Sequence, residues 1–331
     1  MAILDTHNLA IGYRRNKKVA TVISDINISL AQGELVCLIG ANGIGKSTLL
    51  RTIAGSQHPL NGTVRLNNRD LKDYSKGELS KLLGLVYTDS THAGGLTVFE
   101  LVSLGRQPHT GFLGKLKDQD YKIINESLIA TGIEHKKNSF IAELSDGERQ
   151  KTMIAKALSQ ETPVILLDEP TAFLDIASKI ETMRLLSKLA HENNKAILLS
   201  SHDISQSLLM ADKLWIIDQN HKIREGVTED LILNKHLDSV FPNPNITFDY
   251  QSGDFRMQEE YKRKVKVEGD STLLIHWCEN ALRKNGYGID NTDYSMQITI
   301  ASPKEILIDI PHKETTKVTS VGELILFLSR Y

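Results

Sequence analysis

Residues 40–48 read Gly-Ala-Asn-Gly-Ile-Gly-Lys-Ser-Thr and follow the apolar run Leu-Val-Cys-Leu-Ile at 35–39. An apolar strand, a glycine-rich turn and a helix opening on a Lys-Ser pair together form the phosphate-loop pattern, a geometry built to hold a polyphosphate. Gly40, Gly43 and Gly45, with Asn42 between them, let the backbone take turns closed to other residues and approach an anion with no Cβ in the way. Exposed N–H groups and the positive end of the helix expected over 47–53 then face that anion. The pattern assigns Lys46 to the β- and γ-phosphates and Ser47 to Mg²⁺, with Thr48 beside it, so ATP and magnesium are the expected ligands.

The rest of the chain must supply a body for this loop. Its 331 residues suffice for about two compact units. With 39 basic against 41 acidic side chains, no global field attracts nucleic acid or anionic lipid, and no nucleic-acid partner is expected. No apolar run approaches the ~20 residues of a membrane-spanning helix, and the first residues lack the basic-then-apolar order of an export signal. The expected place is therefore the cytosol, with a membrane reached only through a partner. Cys37 and Cys278 lack metal-ligand spacing and are read as core thiols.

Strand-like runs at 4–13, 22–30 and 34–39 predict an antiparallel edge leading into the phosphate-loop strand. From about 75 to 156 the apolar spacing turns helical, as at 98–104 and 121–129. Two fully apolar runs, 164–167 and 196–199, flank a helical stretch at 176–192, the signature of buried parallel strands joined by a crossover helix. The core is thus α/β. Prolines at 242 and 244 interrupt any regular element, dividing a domain at 1–242 from one at 249–331. The second shows strand-like runs at 255–261, 264–267, 296–301 and 306–310 and helices at 271–284 and from 321, a small α+β unit. There is no internal repeat.

The strand at 164–167 ends on Asp168-Glu169-Pro170, and side-chain alternation aims the two carboxylates in different directions. Asp168 is the candidate for Mg²⁺ through water, Glu169 for the base or water-positioning group of hydrolysis. Just upstream, residues 144–150, Leu-Ser-Asp-Gly-Glu-Arg-Gln, resemble the LSGGQ signature of ABC ATPases. The resemblance implies a P-loop NTPase core with an antiparallel β subdomain and a helical subdomain at about 75–156. It also implies a head-to-tail homodimer in which Ser145, Gly147 and Glu148 contact ATP held by the second copy. Asp146 stands where the family has glycine and is expected to face away from the phosphate. Tyr13 resembles the aromatic that stacks on adenine. His202, which ends the next apolar strand, resembles the switch histidine, giving a catalytic set of Lys46, Glu169 and His202. Asp175, in Phe173-Leu174-Asp175, resembles the D-loop aspartate that couples the two sites. Thr88, or alternatively Asp89, occupies the Q-loop position where the family has glutamine; a hydroxyl there is shorter but can still bind a water or the Mg²⁺ shell.

Residues 96–109, Leu-Thr-Val-Phe-Glu-Leu-Val-Ser-Leu-Gly-Arg-Gln-Pro-His, resemble the ATPase subunits of importers for iron-siderophores, haem and cobalamin. That resemblance implies an ATP-hydrolysing subunit bound to transmembrane permease subunits, served indirectly by an extracytoplasmic substrate-binding protein, and peripheral on the cytoplasmic face of the inner membrane. A competing reading is a soluble ABC ATPase without a permease, acting as an assembly or regulatory scaffold. The appended unit is basic at Lys262, Arg263, Lys264 and Lys266, but Glu259, Glu260, Glu268 and Asp270 flank them, which favours a solvated strand face over an anion site. By resemblance that unit is expected to be regulatory or dimer-forming.

Overall fold

A computed structural model of the chain describes residues 2–15, 18–87, 95–111, 114–240, 243, 245–250, 253–257 and 261–330. They divide into two compact units, Met1–Arg256 and Met257–Tyr331.

In the first unit an antiparallel sheet is built from β1 (Ala2–Arg15), β2 (Lys18–Ile26), β3 (Ser29–Ala31), β5 (Asn61–Leu66) and β6 (Arg69–Asp70), in the order β2-β1-β5-β6 with β3 also beside β1. The single strand expected over 22–30 is two. Asp25 takes a left-handed backbone (φ 56°), and the Asn27 amide donates to the Asp25 carbonyl at 3.1 Å, turning the chain so that β3 pairs with the start of β1.

The central sheet holds β4 (Leu35–Ile39), β7 (Leu83–Val86), β8 (Val164–Leu167), β9 (Ala196–Ser200), β10 (Lys213–Ile217) and β11 (Ile223–Val227), ordered β11-β10-β4-β9-β8-β7. All pairs are parallel except the edge strand β11. Every residue of β4, β8 and β9 is buried, which explains their continuous apolar runs: a parallel sheet is covered on both faces. Helices α1 (Lys46–Ile53), α2 (Lys76–Leu79), α3 (Val98–Ser103), α4 (Asp118–Ala130), α5 (Asp146–Ser159), α6 (Ile176–Glu192), α7 (Ile204–Met210) and α8 (Thr228–Leu233) complete the unit. The helical stretch expected at 75–156 is interrupted, because Leu83–Val86 pairs with β8 as the sheet's last strand; four residues are too few to show their period against helical neighbours.

The hairpin of β12 (Ile246–Asp249) and β13 (Asp254–Met257) corrects the expected division at 242/249. Phe248 is 4 % exposed and lies in the first unit's core; its ring stands edge-on to Tyr250 and Phe255 at 4.9 and 5.0 Å. This aromatic cluster fixes the hairpin to the phosphate-loop unit, so the division falls after it.

The second unit contains β14 (Arg263–Gly269), α9 (Thr272–Lys284), β15 (Tyr287–Ile289), β16 (Met296–Ser302), β17 (Glu305–Asp309), β18 (Thr316–Val318) and α10 (Val321–Arg330) in one mixed sheet, β15-β14-β16-β17-β18. Val265, Val267, Ile298, Ile300, Ile306 and Ile308 share a core with Cys278, Leu282, Leu324 and Leu328 of the helices. The opposite strand positions carry the basic residues. Lys264 bonds Asp290 and Asp293 at 3.0 and 3.2 Å, and Lys266 pairs with Glu268, so these two lysines of the cationic cluster are neutralised locally. Both cysteines are free and buried. Among the described residues, no helix is long and apolar enough to cross a membrane.

Candidate functional site

Strands β4, β9 and β8 are adjacent and parallel, so their carboxyl ends deliver the glycine loop, the segment ending in His202 and the Asp168-Glu169 pair to one edge of the sheet. Gly45 has φ 121°, and a Cβ there would lie 2.7 Å from Val22 Cγ1 of β2, so both backbone and space require glycine. Asn42 and Gly43 are exposed at the crest of the loop. Gly45 is the N-cap of α1 and no side chain caps that end, which leaves the first-turn N–H groups directed at whatever the loop encloses.

Lys46 is 5 % exposed. Its ammonium donates to the carbonyls of Gly40 and Ala41 at 2.8 and 3.2 Å and lies 3.5 Å from His202 Nδ1. Burial pulls its pKa below that of an ordinary lysine, opposed by the charges of Glu169 and Asp168. His202 Nε2 in turn hydrogen-bonds the Glu169 carboxylate. The tautomer with its ring hydrogen on Nε2 satisfies both contacts, accepting from Lys46 and donating to Glu169.

The two carboxylates separate, though by a turn rather than by strand alternation, since both lie beyond the end of β8. The Ser47 hydroxyl donates to Asp168 Oδ1 at 3.1 Å, while Glu169 turns to His202 through a left-handed backbone (φ 53°). Ser200, the last residue of β9, holds both: its hydroxyl donates to Asp168 Oδ1 at 2.7 Å and accepts from the Glu169 N–H at 2.9 Å. Sequence reasoning passed over this serine; the signal was a hydroxyl at the end of an otherwise apolar strand. Tyr13, half exposed, shares a hydrogen bond with the Thr48 hydroxyl at 2.8 Å, beside an open cleft of about 670 Å³ lined by Arg14, Gln57 and His58.

The signature residues form a second cluster. Ser145 caps α5 and its hydroxyl accepts from the Glu148 N–H, while the Glu148 carboxylate accepts from the Ser145 N–H at 2.9 Å. That backbone bond holds the Glu148 carboxyl below the usual carboxylate range. A Cβ on Gly147 would lie 2.8 Å from Ser178 Oγ in the first turn of α6, the helix that Asp175 caps by accepting from the Ser178 N–H at 2.8 Å. Ser145, Gly147, Glu148 and Asp175 therefore sit together where α5 and α6 begin. Phe173, just before, is 88 % exposed with φ 64°. Thr88 and Asp89 lie outside the described residues.

The 96–109 stretch has an internal task as well. Arg106, 3 % exposed, donates to Asp120 Oδ1 at 2.9 Å, to the Ser159 carbonyl at 2.7 Å and to Glu161 at 2.7 Å, and His109 Nε2 bonds the Gln160 carbonyl at 3.0 Å.

Residues 23–172 match the ABC transporter family, and residues 262–329 match the iron ABC transporter C-terminal domain. An uncharacterized ABC transporter ATP-binding protein of Methanocaldococcus jannaschii is 39 % identical over 265 residues, 80 % of this chain and 90 % of that protein. The chain belongs to the ABC transporter ATP-binding family. It is also similar to the iron(3+)-hydroxamate import ATP-binding protein of Bacillus subtilis, 36 % identical over 73 % of this chain and 88 % of that one. Among solved structures, a dimeric ATP-binding cassette in a post-hydrolysis state with ADP and phosphate superposes with a TM-score of 0.59 at 27 % identity, covering 68 % of this chain and 98 % of that chain. The ABC ATPase fold and ATP hydrolysis implied by residues 144–150 thus hold, and these relatives support a transporter subunit rather than a permease-free scaffold.

Proposed function

We propose that this ABC ATPase powers the import of an iron chelate of the siderophore class. The observation that carries the reading is the joint occurrence, in one chain, of the phosphate-loop cluster and a second unit matching the iron ABC transporter C-terminal domain; the hydroxamate-import relative and residues 96–109 agree with it. Its partners are a second copy of itself, transmembrane permease subunits that hold it at the cytoplasmic face of the inner membrane, and, through the permease, an extracytoplasmic substrate-binding protein.

The residues divide the work. Tyr13 stacks on adenine. Gly40, Asn42, Gly43, Gly45 and Thr48 shape the loop around the phosphates, and Lys46 exchanges its two carbonyl contacts for phosphate oxygens, a stronger charge-assisted bond. Ser47 and Asp168 meet at 3.1 Å and present hard oxygen donors of the kind Mg²⁺ takes, Asp168 through water. Bound there, Mg²⁺ supplies charge neutralisation at the β- and γ-phosphates. Glu169 orients the attacking water and takes its proton, and His202 fixes the Glu169 carboxylate against the γ-phosphate side. Ser145, Gly147 and Glu148 of the second copy close on the same phosphate, and Asp175 couples the two sites. Thr88 serves as the shortened counterpart of the family's glutamine. Shifting such a dimer from 1:99 open to 99:1 closed requires a preference of about 5.5 kcal/mol for nucleotide in the closed state, which two sandwiched triphosphates can supply.

The test is Glu169→Gln, which keeps the volume and loses the charge. In vesicles holding the permease complex it should retain MgATP binding, lose roughly 10²–10⁴-fold in hydrolysis and abolish uptake of a ferric hydroxamate, while the isolated chain elutes as a dimer with MgATP. A nucleotide-loaded variant that stays monomeric overturns the role of Glu169; a wild-type complex that carries no ferric chelate overturns the substrate class.

A further inference from the structure

The first turn of α5 carries two carboxylates, Asp146 and Glu148, at the surface that meets a triphosphate in the closed dimer of the proposed function. Acidic side chains there suit the helix dipole but oppose an incoming anion of the same sign. Glu148 is committed inward, to the Ser145 N–H and hydroxyl at 2.9 and 3.1 Å and to Lys136 at 3.2 Å. Asp146 is the more exposed of the two and stands at the glycine position of the signature. Its Oδ1 accepts from Arg149 Nη1 at 2.8 Å, and Arg149 Nη2 donates to the Leu144 carbonyl at 3.1 Å. One guanidinium thus reaches the residue before Ser145 and the residue after it, drawing the Asp146 carboxylate along the helix and anchoring itself to the backbone of the turn.

We propose that Arg149 is a positioning residue that neutralises Asp146 and holds its carboxylate off the anion-facing turn, so that a signature with aspartate in place of glycine still closes on ATP. The proposal rests on the signature of one copy meeting the nucleotide of the other. The pair is partly exposed, with side-chain exposures of 34 and 60 %, so its direct share of folding stability is small. Its effect is on the sign and direction of charge at the closing surface.

The experiment compares wild type, Arg149→Ala, Arg149→Lys, Asp146→Gly and the double variant Asp146→Gly/Arg149→Ala. All carry Glu169→Gln so that MgATP is not consumed, and ATP-dependent dimerisation is followed by light scattering. Arg149→Ala should raise the MgATP concentration for half-dimerisation about 5- to 10-fold at low salt, as expected for an unpaired carboxylate near a phosphate at intermediate dielectric. The penalty should shrink toward unity as ionic strength rises and the Debye length falls from about 30 to 3 Å, which loss of a merely structural contact would not do. Asp146→Gly/Arg149→Ala should return to within about twofold of Asp146→Gly alone, and Arg149→Lys, which keeps the charge, should stay near wild type. Arg149→Ala that dimerises like wild type, a penalty indifferent to salt, or a double variant that is not rescued overturns the proposal. Ser145→Arg separates this from the reading beneath it: a bulky cation at the cap blocks closure if the signature meets the nucleotide, and if it does not block closure, that reading fails first.

Discussion

Ser200 shows how much of the site rests on a side chain with no role in catalysis itself. It joins the Asp168 carboxylate to the Glu169 amide, so one hydroxyl sets the spacing between the Ser47–Asp168 side and the Glu169–His202 side of the cluster. Ser200→Ala removes the partner of the partly buried Glu169 N–H, a loss worth about 1 kcal/mol. The expected outcome is a fall in kcat of roughly tenfold or more with nucleotide affinity nearly unchanged, read by steady-state hydrolysis beside a nucleotide-binding titration; equal loss in both would place Ser200 in binding instead. Lys46, Ser47, Asp168, Glu169 and His202 were legible because each occupies a strand end or a loop position whose geometry follows from sequence order. Ser200 was not, since its importance comes from two partners 32 and 31 residues away in the chain, and pairing across parallel strands leaves no local pattern.

Among the elements, the helical subdomain was legible as helix and not as a network. Apolar spacing marks α3 and α4, whose Val98, Leu101, Ile124 and Leu128 enter the common core, whereas the buried Arg106 reads in sequence as one more charged residue of the 96–109 stretch. The structure gives it three internal acceptors. Arg106→Met should destabilise the unit by about 3–5 kcal/mol, because Asp120 is left as a buried charge without its guanidinium, measured by urea unfolding. Asp120 also gives the subdomain an acid limit. The Lys117 N–H, and after it Arg106, hold its carboxyl below the ordinary value of 3.8. A carboxyl whose folded pKa is depressed contributes stability that is complete above its unfolded pKa and is lost as pH falls through the folded one. Asp120→Asn should therefore weaken the fold at neutral pH yet flatten the decline in stability below about pH 5, and a decline as steep as wild type would mean that other groups set the acid limit. The short strands β7, β15 and β18 escaped sequence reading for a different reason: three or four residues pair only because longer strands are already in place beside them.

At the scale of the whole molecule, the order of strand, glycine loop, helices, paired carboxylates and crossover made the first unit's architecture readable, while the division between the units was misplaced by proline chemistry. Prolines 242 and 244 are breakers in the sequence, but a breaker of regular structure does not mark an end of packing, and Phe248, Tyr250 and Phe255 continue the first core beyond them. Two truncations turn that distinction into a measurement. Ending the chain after Arg256 keeps the aromatic hairpin and every residue of both functional clusters, and should give a folded ATPase whose thermal midpoint matches that of the first transition in the full chain. Ending it after Pro244 removes Phe248, 4 % exposed in the full chain, and exposes the core beneath it, at a cost of about 3–5 kcal/mol for a buried phenylalanine; the midpoint should fall by several degrees or the product should aggregate. Equal stability of the two truncations would restore the division to the proline segment. The longer truncation product also tests the role of the second unit. That unit has its own core and contributes none of the nucleotide residues, so basal binding of nucleotide should survive its loss, while a dimer-forming or ligand-sensing role would appear as a shift in the protein or MgATP concentration at which the chain dimerises. Association and turnover indistinguishable from those of the full chain would exclude that role and leave the second unit to act only on the permease side of the transport cycle.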